Sequence, residues 1–153
     1  MARQTGSSTA VKRSQRSRRV PGASVGIKTA DFIQITQQLK TGLPYGSLTR
    51  FQKHSGLTLE TISQVIQIPR RALAHRLARG SLTQHESERL LRLALVFEKA
   101  VDLFEGSASA ARDWLKAPNR ALAGESPLAM VETEIGAREL EDLIGRLEHG
   151  VFA

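Results

Sequence analysis

The chain has 153 residues, of which 41% are hydrophobic and 24% charged, as expected for a globular protein. It has no cysteine, which excludes disulfides, thiolate metal sites and cysteine nucleophiles, and its longest apolar run, residues 93–97, is far too short to cross a bilayer. Its formal net charge of +7 divides into +7 for residues 1–30, +5 for residues 31–99 and −5 for residues 100–153. This division indicates two different partners, and only the basic part, residues 1–99, would attract a polyanion.

The basic part of the chain begins with residues 1–27, which are rich in Ser, Thr, Gly, Arg and Gln and have almost no large apolar side chain. Such a segment buries too little surface to offset its ordering entropy, so we predict a disordered basic tail. Two interpretations stay open: a solubilising tail, or an arm that contacts nucleic-acid phosphates. No secretory leader is expected, and the protein is predicted to be cytoplasmic.

Helical signals follow from residue 28 to the end, and no alternating strand pattern occurs, so the predicted fold class is all-α. The first helix is predicted with Phe32 facing inward, Thr29 as its N-cap and Gly42 at its end. Ser47 is predicted to cap the second helix, and Thr58 the third.

A helix pair over residues 58–79, joined by a tight turn at residues 67–69, is the first candidate site. Placing Leu73 and Leu77 inward on the second helix turns a basic stripe outward. Guanidinium groups at such positions can bind guanine edges or phosphates, as in helix-turn-helix proteins, whereas a solvated basic face is the plain alternative. The candidate DNA-binding residues are Arg71, His75 and Arg79 on the stripe, with Arg70 and Arg76 beside it.

Thr83 and Glu86 form a capping-box pattern that opens a long helix reaching about Phe104. Its apolar residues form two stripes, which is typical of a helix covered on two sides. We therefore interpret it as a central helix that joins both halves, or as a dimerisation element. Shorter helices are predicted over residues 107–116, after Ser126 and Pro127, and up to Gly150.

A second candidate site is the stretch 111–122, where the single Trp114 precedes an irregular connector at Pro118 and Asn119. A single Trp is most often a core residue, because the indole buries a large area, but irregular connectors often carry function. Acidic residues that follow, from Glu132 to Glu148, form either a solvated face or a surface for a basic protein partner. The four histidines are scattered, and no catalytic motif occurs, so we expect no enzyme activity, catalytic residue, metal or cofactor.

Several motifs together resemble a known family. Residues 86–152 resemble the toxin-binding domain of Xre/MbcA/ParS-type antitoxins, and residues 28–82 are similar to the Xre-like helix-turn-helix of the same family. The first resemblance rests on Glu86-Ser87-Glu88-Arg89-Leu90-Leu91-Arg92, Ala111-x-x-Trp114-Leu115-x-x-Pro118-Asn119, Ala123-Gly124-x-Ser126-Pro127-Leu128, Thr133-Glu134-x-Gly136-Ala137 and Gly150-Val151-Phe152. The second rests on Gly42-Leu43-Pro44 and Ile68-Pro69-Arg70-Arg71, with Gln67 where the family commonly has Gly.

The resemblance implies an antitoxin of a type II toxin–antitoxin system. Its usual toxin partner is a RES-domain enzyme that depletes NAD⁺, and some relatives pair with ADP-ribosylating toxins. Such an antitoxin binds its toxin through the C-terminal domain, blocks the toxin's active site, and represses its own operon through the helix-turn-helix. The implied toxin-binding residues are Trp114, Pro118, Asn119, Arg120, Gly150, Val151, Phe152 and Ala153.

The predicted organisation is a basic tail over 1–27, a helix-turn-helix domain over 28–82 and a toxin-binding domain over 83–153. A homodimer is expected because helix-turn-helix proteins bind two half-sites. Operator DNA and the toxin are the expected partners, with no membrane contact. The alternative is a transcription regulator whose C-terminal half only dimerises or senses a ligand. On residues alone, Phe152 packs back onto Leu147 or fills a pocket on a partner, and the resemblance favours the partner.

Overall fold

A computed structural model describes residues 19–150 of the chain. Within that range the protein is all-α, as predicted, and a single β-bridge joins Pro44 to Ser81. Its elements are a 3₁₀ turn at Ala23–Val25, α1 (Phe32–Thr41), α2 (Tyr45–Ser55), α3 (Leu59–Ile66), α4 (Arg70–Arg79), α5 (Gln84–Leu103), α6 (Ala108–Lys116), a 3₁₀ turn at Arg120–Leu122, α7 (Pro127–Val131) and α8 (Glu134–Glu148). None of these helices is long and apolar enough to span a bilayer.

The long helix α5 lies at the centre of the core. It contacts α1, α2 and α3 on the N-terminal side and α6, α7 and α8 on the C-terminal side. Leu90, Leu93 and Val96 on this helix are fully buried, and the ring of Phe97 meets Phe51 of α2 edge to face at 5.6 Å. The prediction of a central helix that joins both halves is therefore confirmed, and one continuous core connects them.

Three helices begin at the capping residues that the sequence predicted. Thr83 accepts a hydrogen bond from the Glu86 N–H while the Glu86 carboxylate accepts one from the Thr83 N–H, which completes the capping box. Thr58 caps α3, and Ser126 caps α7. Each cap involves residues within three positions of each other, so the sequence pattern is sufficient to predict it.

The start of the chain's helical region differs from the prediction in three ways. Asp31, not Thr29, caps α1, because its carboxylate accepts the Ile33 N–H at 2.9 Å. Phe32 is 74% exposed instead of facing inward. Helix α2 begins at Tyr45, whose N–H donates to the carbonyl of Gly80 at 2.9 Å, and Ser47 is buried inside α2 instead of capping it.

Residues 20–27 form a packed N-terminal strap, so the predicted tail boundary at residue 27 is wrong. The Glu98 carboxylate on α5 accepts hydrogen bonds from the Gly22 N–H at 2.9 Å and from the Ser24 hydroxyl at 2.5 Å. Val25 and Ile27 are buried in the core. Gly22 has φ 87°, and a Cβ there would lie 2.9 Å from the Leu91 side chain, so a larger residue would disturb the strap. The rest of the predicted tail, residues 1–18, lies outside the described residues.

Candidate functional site

Helices α3 and α4 are joined by the tight turn that the sequence predicted. Gln67 ends α3 in the left-handed conformation, with φ 61° and ψ 44°, at a cost of about 1 kcal/mol for a residue with a side chain. The Ile68 N–H then donates back to the carbonyl of Ser63 at 2.9 Å, which closes the helix end. The Gln67 side chain donates to the carbonyl of Glu132 at 3.4 Å, a contact to the C-terminal half that glycine could not make.

Helix α4 has no buried residue, and most of its side chains are exposed. Arg70, Arg71, His75 and Arg79 are all exposed, as predicted. Arg71 and Arg79 lie eight residues apart on one face, about 12 Å along the helix axis, with His75 between them. Leu77, predicted to face inward, is 62% exposed, because α4 packs against the body only through half-buried residues such as Leu73.

Arg76, predicted to flank the exposed stripe near phosphates, forms an ion pair with Glu86 on α5. Its Nε donates to Glu86 Oε1 at 2.8 Å, with 21% of the arginine side chain and 7% of the glutamate side chain exposed. The same Glu86 oxygen accepts the Thr83 N–H of the capping box. The ion pair therefore fixes α4 to the first turn of α5.

The pKa values of this pair reflect their mutual contact. The hydrogen bond to Glu86 raises the pKa of Arg76 above its ordinary value. Burial alone would raise the pKa of Glu86, but hydrogen bonds from Arg76 and Thr83 more than offset it and hold that pKa below its usual range. Both groups are charged at neutral pH, so the contact is a full ion pair under physiological conditions.

The second candidate region lies on α6 and the connector after it. Trp114 is half-buried, and its ring lies 6.1 Å from that of Phe104 at the end of α5. Ala111 and Leu115 on the same helix are fully buried. The indole thus packs at the edge of the core, and part of it remains exposed. This position is compatible both with a packing role and with contact to a partner.

Asn119 organises the connector. Its side chain accepts the Ala121 N–H at 2.9 Å, its own N–H donates to the Glu125 carbonyl at 3.0 Å, and its carbonyl accepts the Gly124 N–H at 2.9 Å. Pro118 and Arg120 on either side are exposed. The connector is therefore a closed loop that presents Pro118 and Arg120 to solvent.

The C-terminal residues of the predicted toxin-binding set follow α8. Gly150 is exposed and has φ 69°, a left-handed conformation that ends the helix. Val151, Phe152 and Ala153 lie outside the described residues.

Several residues that hold the two halves together were missed by the sequence reasoning. The Arg112 guanidinium on α6 donates to the carbonyl of Ser55 at the end of α2, at 3.3 Å. Ser87 on α5 accepts the Leu43 N–H at 2.8 Å. Both contacts join positions more than 40 residues apart, and no local sequence pattern signals them. Within residues 19–150, no three His, Asp or Glu side chains are grouped where they could hold a metal ion.

Comparison with known proteins decides the family. Residues 34–95 match the family model described as the antitoxin Xre-like helix-turn-helix domain, and residues 99–150 match that described as the antitoxin Xre/MbcA/ParS C-terminal toxin-binding domain. An "Antitoxin Xre" of Yersinia enterocolitica is 35% identical over 130 residues, which cover 84% of this chain and 88% of the relative. The chain belongs to the Xre antitoxin family.

Two further Xre relatives are also similar over most of this chain. The "Antitoxin Xre" of Photorhabdus laumondii is 34% identical over 131 residues, covering 85% of this chain and 88% of the relative. That of Pseudomonas putida is 30% identical over 122 residues, covering 79% and 74%. In this Xre-family antitoxin the first family match ends at residue 95 and the second begins at residue 99, both within α5. The central helix therefore carries the junction between the helix-turn-helix and the toxin-binding domain.

Proposed function

We propose that this Xre-family antitoxin neutralises a RES-type, NAD⁺-depleting toxin with its C-terminal half and represses its own operon with its helix-turn-helix. The observation that carries the DNA-binding part is α4, a helix without a buried residue that exposes three arginines and a histidine. The closed connector and the acidic helix α8 support the toxin-binding part. The proposal requires no catalytic residue, metal or cofactor.

On DNA, α4 enters the major groove. Arg71 and Arg79 can each donate two parallel hydrogen bonds to O6 and N7 of a guanine, and His75 can contact a base edge or a phosphate. Arg70, in the first turn of α4, lies beside this face and binds a phosphate. Arg76 is committed to Glu86, so it positions α4 instead of reading the operator.

Toward the toxin, the C-terminal half supplies acidic charge. Residues 100–153 carry a net charge of −5, and α8 contributes much of it. A site built to bind the anionic dinucleotide NAD⁺ is basic, so an acidic domain is attracted to its surroundings. The connector at Pro118 and Arg120 supplies the remaining contact, and residues after Gly150 cover the toxin's active site. Two copies of the antitoxin bind two operator half-sites as a homodimer.

Deleting residues 150–153 is expected to weaken toxin neutralisation far more than it lowers the melting temperature. Gly150 lies after the last residue of α8 and is exposed, so its loss removes one helix-end hydrogen bond, from its N–H to the Leu147 carbonyl at 3.2 Å, and leaves residues 134–148 in place. The measurement compares growth and cellular NAD⁺ in cells that co-express the toxin, taken as the product of the adjacent open reading frame, with a thermal melt of the truncated antitoxin. Full rescue by the truncated chain would show that these residues do not block the toxin. A large fall in melting temperature would assign them to packing.

A separate prediction concerns residues 1–18. Removing them, with the strap at 20–27 retained, is expected to flatten the salt dependence of DNA binding and to leave sequence preference unchanged. The segment carries five basic side chains and no acidic one, and each phosphate that is no longer neutralised reduces the slope of log K against log salt by about 0.9. Affinity for operator and for unrelated DNA is measured at several salt concentrations. An unchanged slope would leave the tail as a solubilising segment.

A further inference from the structure

A recessed cleft of about 590 Å³ lies between the N-terminal strap, α2, the second half of α5 and the start of α6. Its floor is one face of α5, on which Leu95, Glu98 and Asp102 follow one another at spacings of three and four residues. Leu91, one turn earlier on the same face, lies against Gly22 of the strap. The cleft has the size of a small-molecule site.

The apolar part of this cleft is not needed by the core. Leu95 is half-buried, yet it lies outside the hydrophobic cluster that joins the two halves of the chain. Pro21 of the strap and Ala108 of α6 line the cleft on either side of the α5 floor. An apolar group placed here would bury the part of Leu95 that the folded chain leaves accessible to water.

Two charges at the cleft are already used by contacts within the chain. Both oxygens of the Glu98 carboxylate accept hydrogen bonds from the strap. The Lys99 ammonium lies 2.9 Å from the Glu141 carboxylate of α8. These two residues therefore contribute little to the recognition of a ligand.

Three basic side chains at the cleft remain for a ligand. Arg19, Arg50 and His54 all line it, and none of them forms an ion pair within residues 19–150. The Arg50 Nε donates to the Ala23 carbonyl of the strap at 3.3 Å, which holds the guanidinium beside the cleft. Asp102, also half-buried and without an ion pair in that range, is the remaining carboxylate. The charge open to a ligand is therefore net positive.

We propose that this cleft binds a small organic anion that has an apolar body and a hydrogen-bond donor. The anionic group lies among Arg19, Arg50 and His54. The apolar body covers Leu95, and the donor contacts the Asp102 carboxylate. Because the strap forms one wall, the ligand also holds the strap against α5. The inference goes beyond the proposed function, since neither DNA nor a toxin takes part.

Charge and position make two other occupants less suitable. Residues 1–18, which join the cleft at Arg19, carry five basic side chains and no acidic one, so they would bring positive charge to a positive cleft. DNA bound to α4 lies elsewhere, because Glu98 is about 18 Å along α5 from Glu86, the residue that fixes α4. A small anion therefore suits the cleft best.

Two dyes that differ in one group test the class of ligand. Anilinonaphthalenesulfonate (ANS) has an anionic sulfonate, an apolar body and an amine N–H, whereas N-phenylnaphthylamine lacks only the sulfonate. Fluorescence titration of the full-length chain, without toxin or DNA, is expected to show one saturable ANS site per chain. Its dissociation constant should be at least about tenfold lower than that of the uncharged dye. Equal affinities would show that no anion is selected, and would overturn the proposal.

Paired variants test where the dye binds. Leu95→Asp places a carboxylate on the cleft floor, whereas Ile135→Asp places one at an exposed apolar position of α8 outside the cleft. His54→Glu adds negative charge at the cleft, and Lys53→Glu makes a larger charge change at a neighbouring exposed position that does not line it. The first variant of each pair should raise the ANS dissociation constant at least about fivefold, and the second should change it less than about twofold. Equal effects within each pair would place the dye outside the cleft. Circular dichroism establishes that each variant is folded.

Hydrogen exchange tests the contribution of the strap. ANS is expected to slow amide exchange in residues 20–27, which form one wall of the cleft, and to leave residues 134–148 of α8 unchanged. Slower exchange in α8 alone would contradict the assigned position. Absence of ANS binding would overturn this inference and leave the DNA and toxin proposals intact, because they use other residues.

Discussion

Replacing Arg71 and Arg79 together with alanine is expected to remove specific operator binding while leaving the antitoxin folded and able to neutralise its toxin. Both side chains are exposed on α4, so their loss creates no cavity and leaves no buried group without a partner. Each guanidinium that binds a guanine edge contributes about 1–3 kcal/mol of specificity. Each loss therefore weakens specific binding between about fivefold and about 150-fold.

The matched control removes the same positive charge from the other half of the chain. Arg138 and Arg146 are exposed on α8, and replacing both with alanine changes the net charge identically. Binding to the operator and to a scrambled sequence is measured at one salt concentration for both double variants. If the two variants lose affinity equally, general charge and not α4 accounts for DNA binding. If Arg71→Ala with Arg79→Ala has no effect, the assignment of this face to DNA is wrong.

Arg76→Ala is expected to destabilise the chain by about 1.5–3 kcal/mol, more than alanine at any other basic position of α4. The substitution leaves the buried carboxylate of Glu86 without its guanidinium partner, and hydrogen bonds to charged groups are worth about this much. It also releases α4 from α5. The free energy of unfolding is measured in urea, with Arg70→Ala as the exposed control.

The salt dependence of DNA binding distinguishes positioning from phosphate contact. Arg76→Ala should weaken operator binding, because α4 is less well fixed, while the slope of log K against log salt stays that of the natural chain. A phosphate-binding arginine such as Arg70 should lower that slope by about 0.9 when removed. If Arg76→Ala reduces the slope of log K against log salt, Arg76 itself contacts a phosphate.

The same ion pair predicts a pH dependence of stability. The pKa of Glu86 is lower in the folded chain than its ordinary value, so the unfolded chain binds its proton at higher pH than the folded chain does. The pair therefore stabilises the fold fully above the ordinary glutamate pKa of about 4.3, and this stabilisation is lost as pH falls through the folded value. Glu86→Gln should be less stable at neutral pH and should lose less stability on acidification. Equal acid sensitivity of the two proteins would contradict this role.

Local sequence patterns determined the helix starts that depend on neighbouring residues. Thr83 with Glu86, Ser126 with Pro127, and Thr58 each satisfy N–H groups no more than three residues away, so the local sequence is sufficient to predict these helix starts. The two apolar stripes of α5 likewise required a helix covered on both sides, and the core confirms it.

The order and spacing of the sequence motifs also indicated the family. The positions of the functional side chains, in contrast, depended on the tertiary structure. The spacing of α4 showed that Arg71, His75 and Arg79 share one face. It could not show that Arg76 turns toward Glu86, because that contact depends on how α4 is placed against α5. The charge of a side chain is visible in the sequence, whereas its partner is set by packing.

The tertiary structure alone decided the N-terminal strap and the orientation of α1. Residues 20–27 adjoin a segment rich in Ser, Thr and Arg and fall within the predicted tail, yet Glu98, more than 70 residues away, binds their backbone and hydroxyl groups and fixes them on the core. Phe32 fits an inward stripe on a helical wheel but lies at the end of α1, where no neighbouring element covers it. Periodicity determines which face of a helix is apolar. Whether that face is covered depends on contacts between distant segments, and these form only when the whole chain folds.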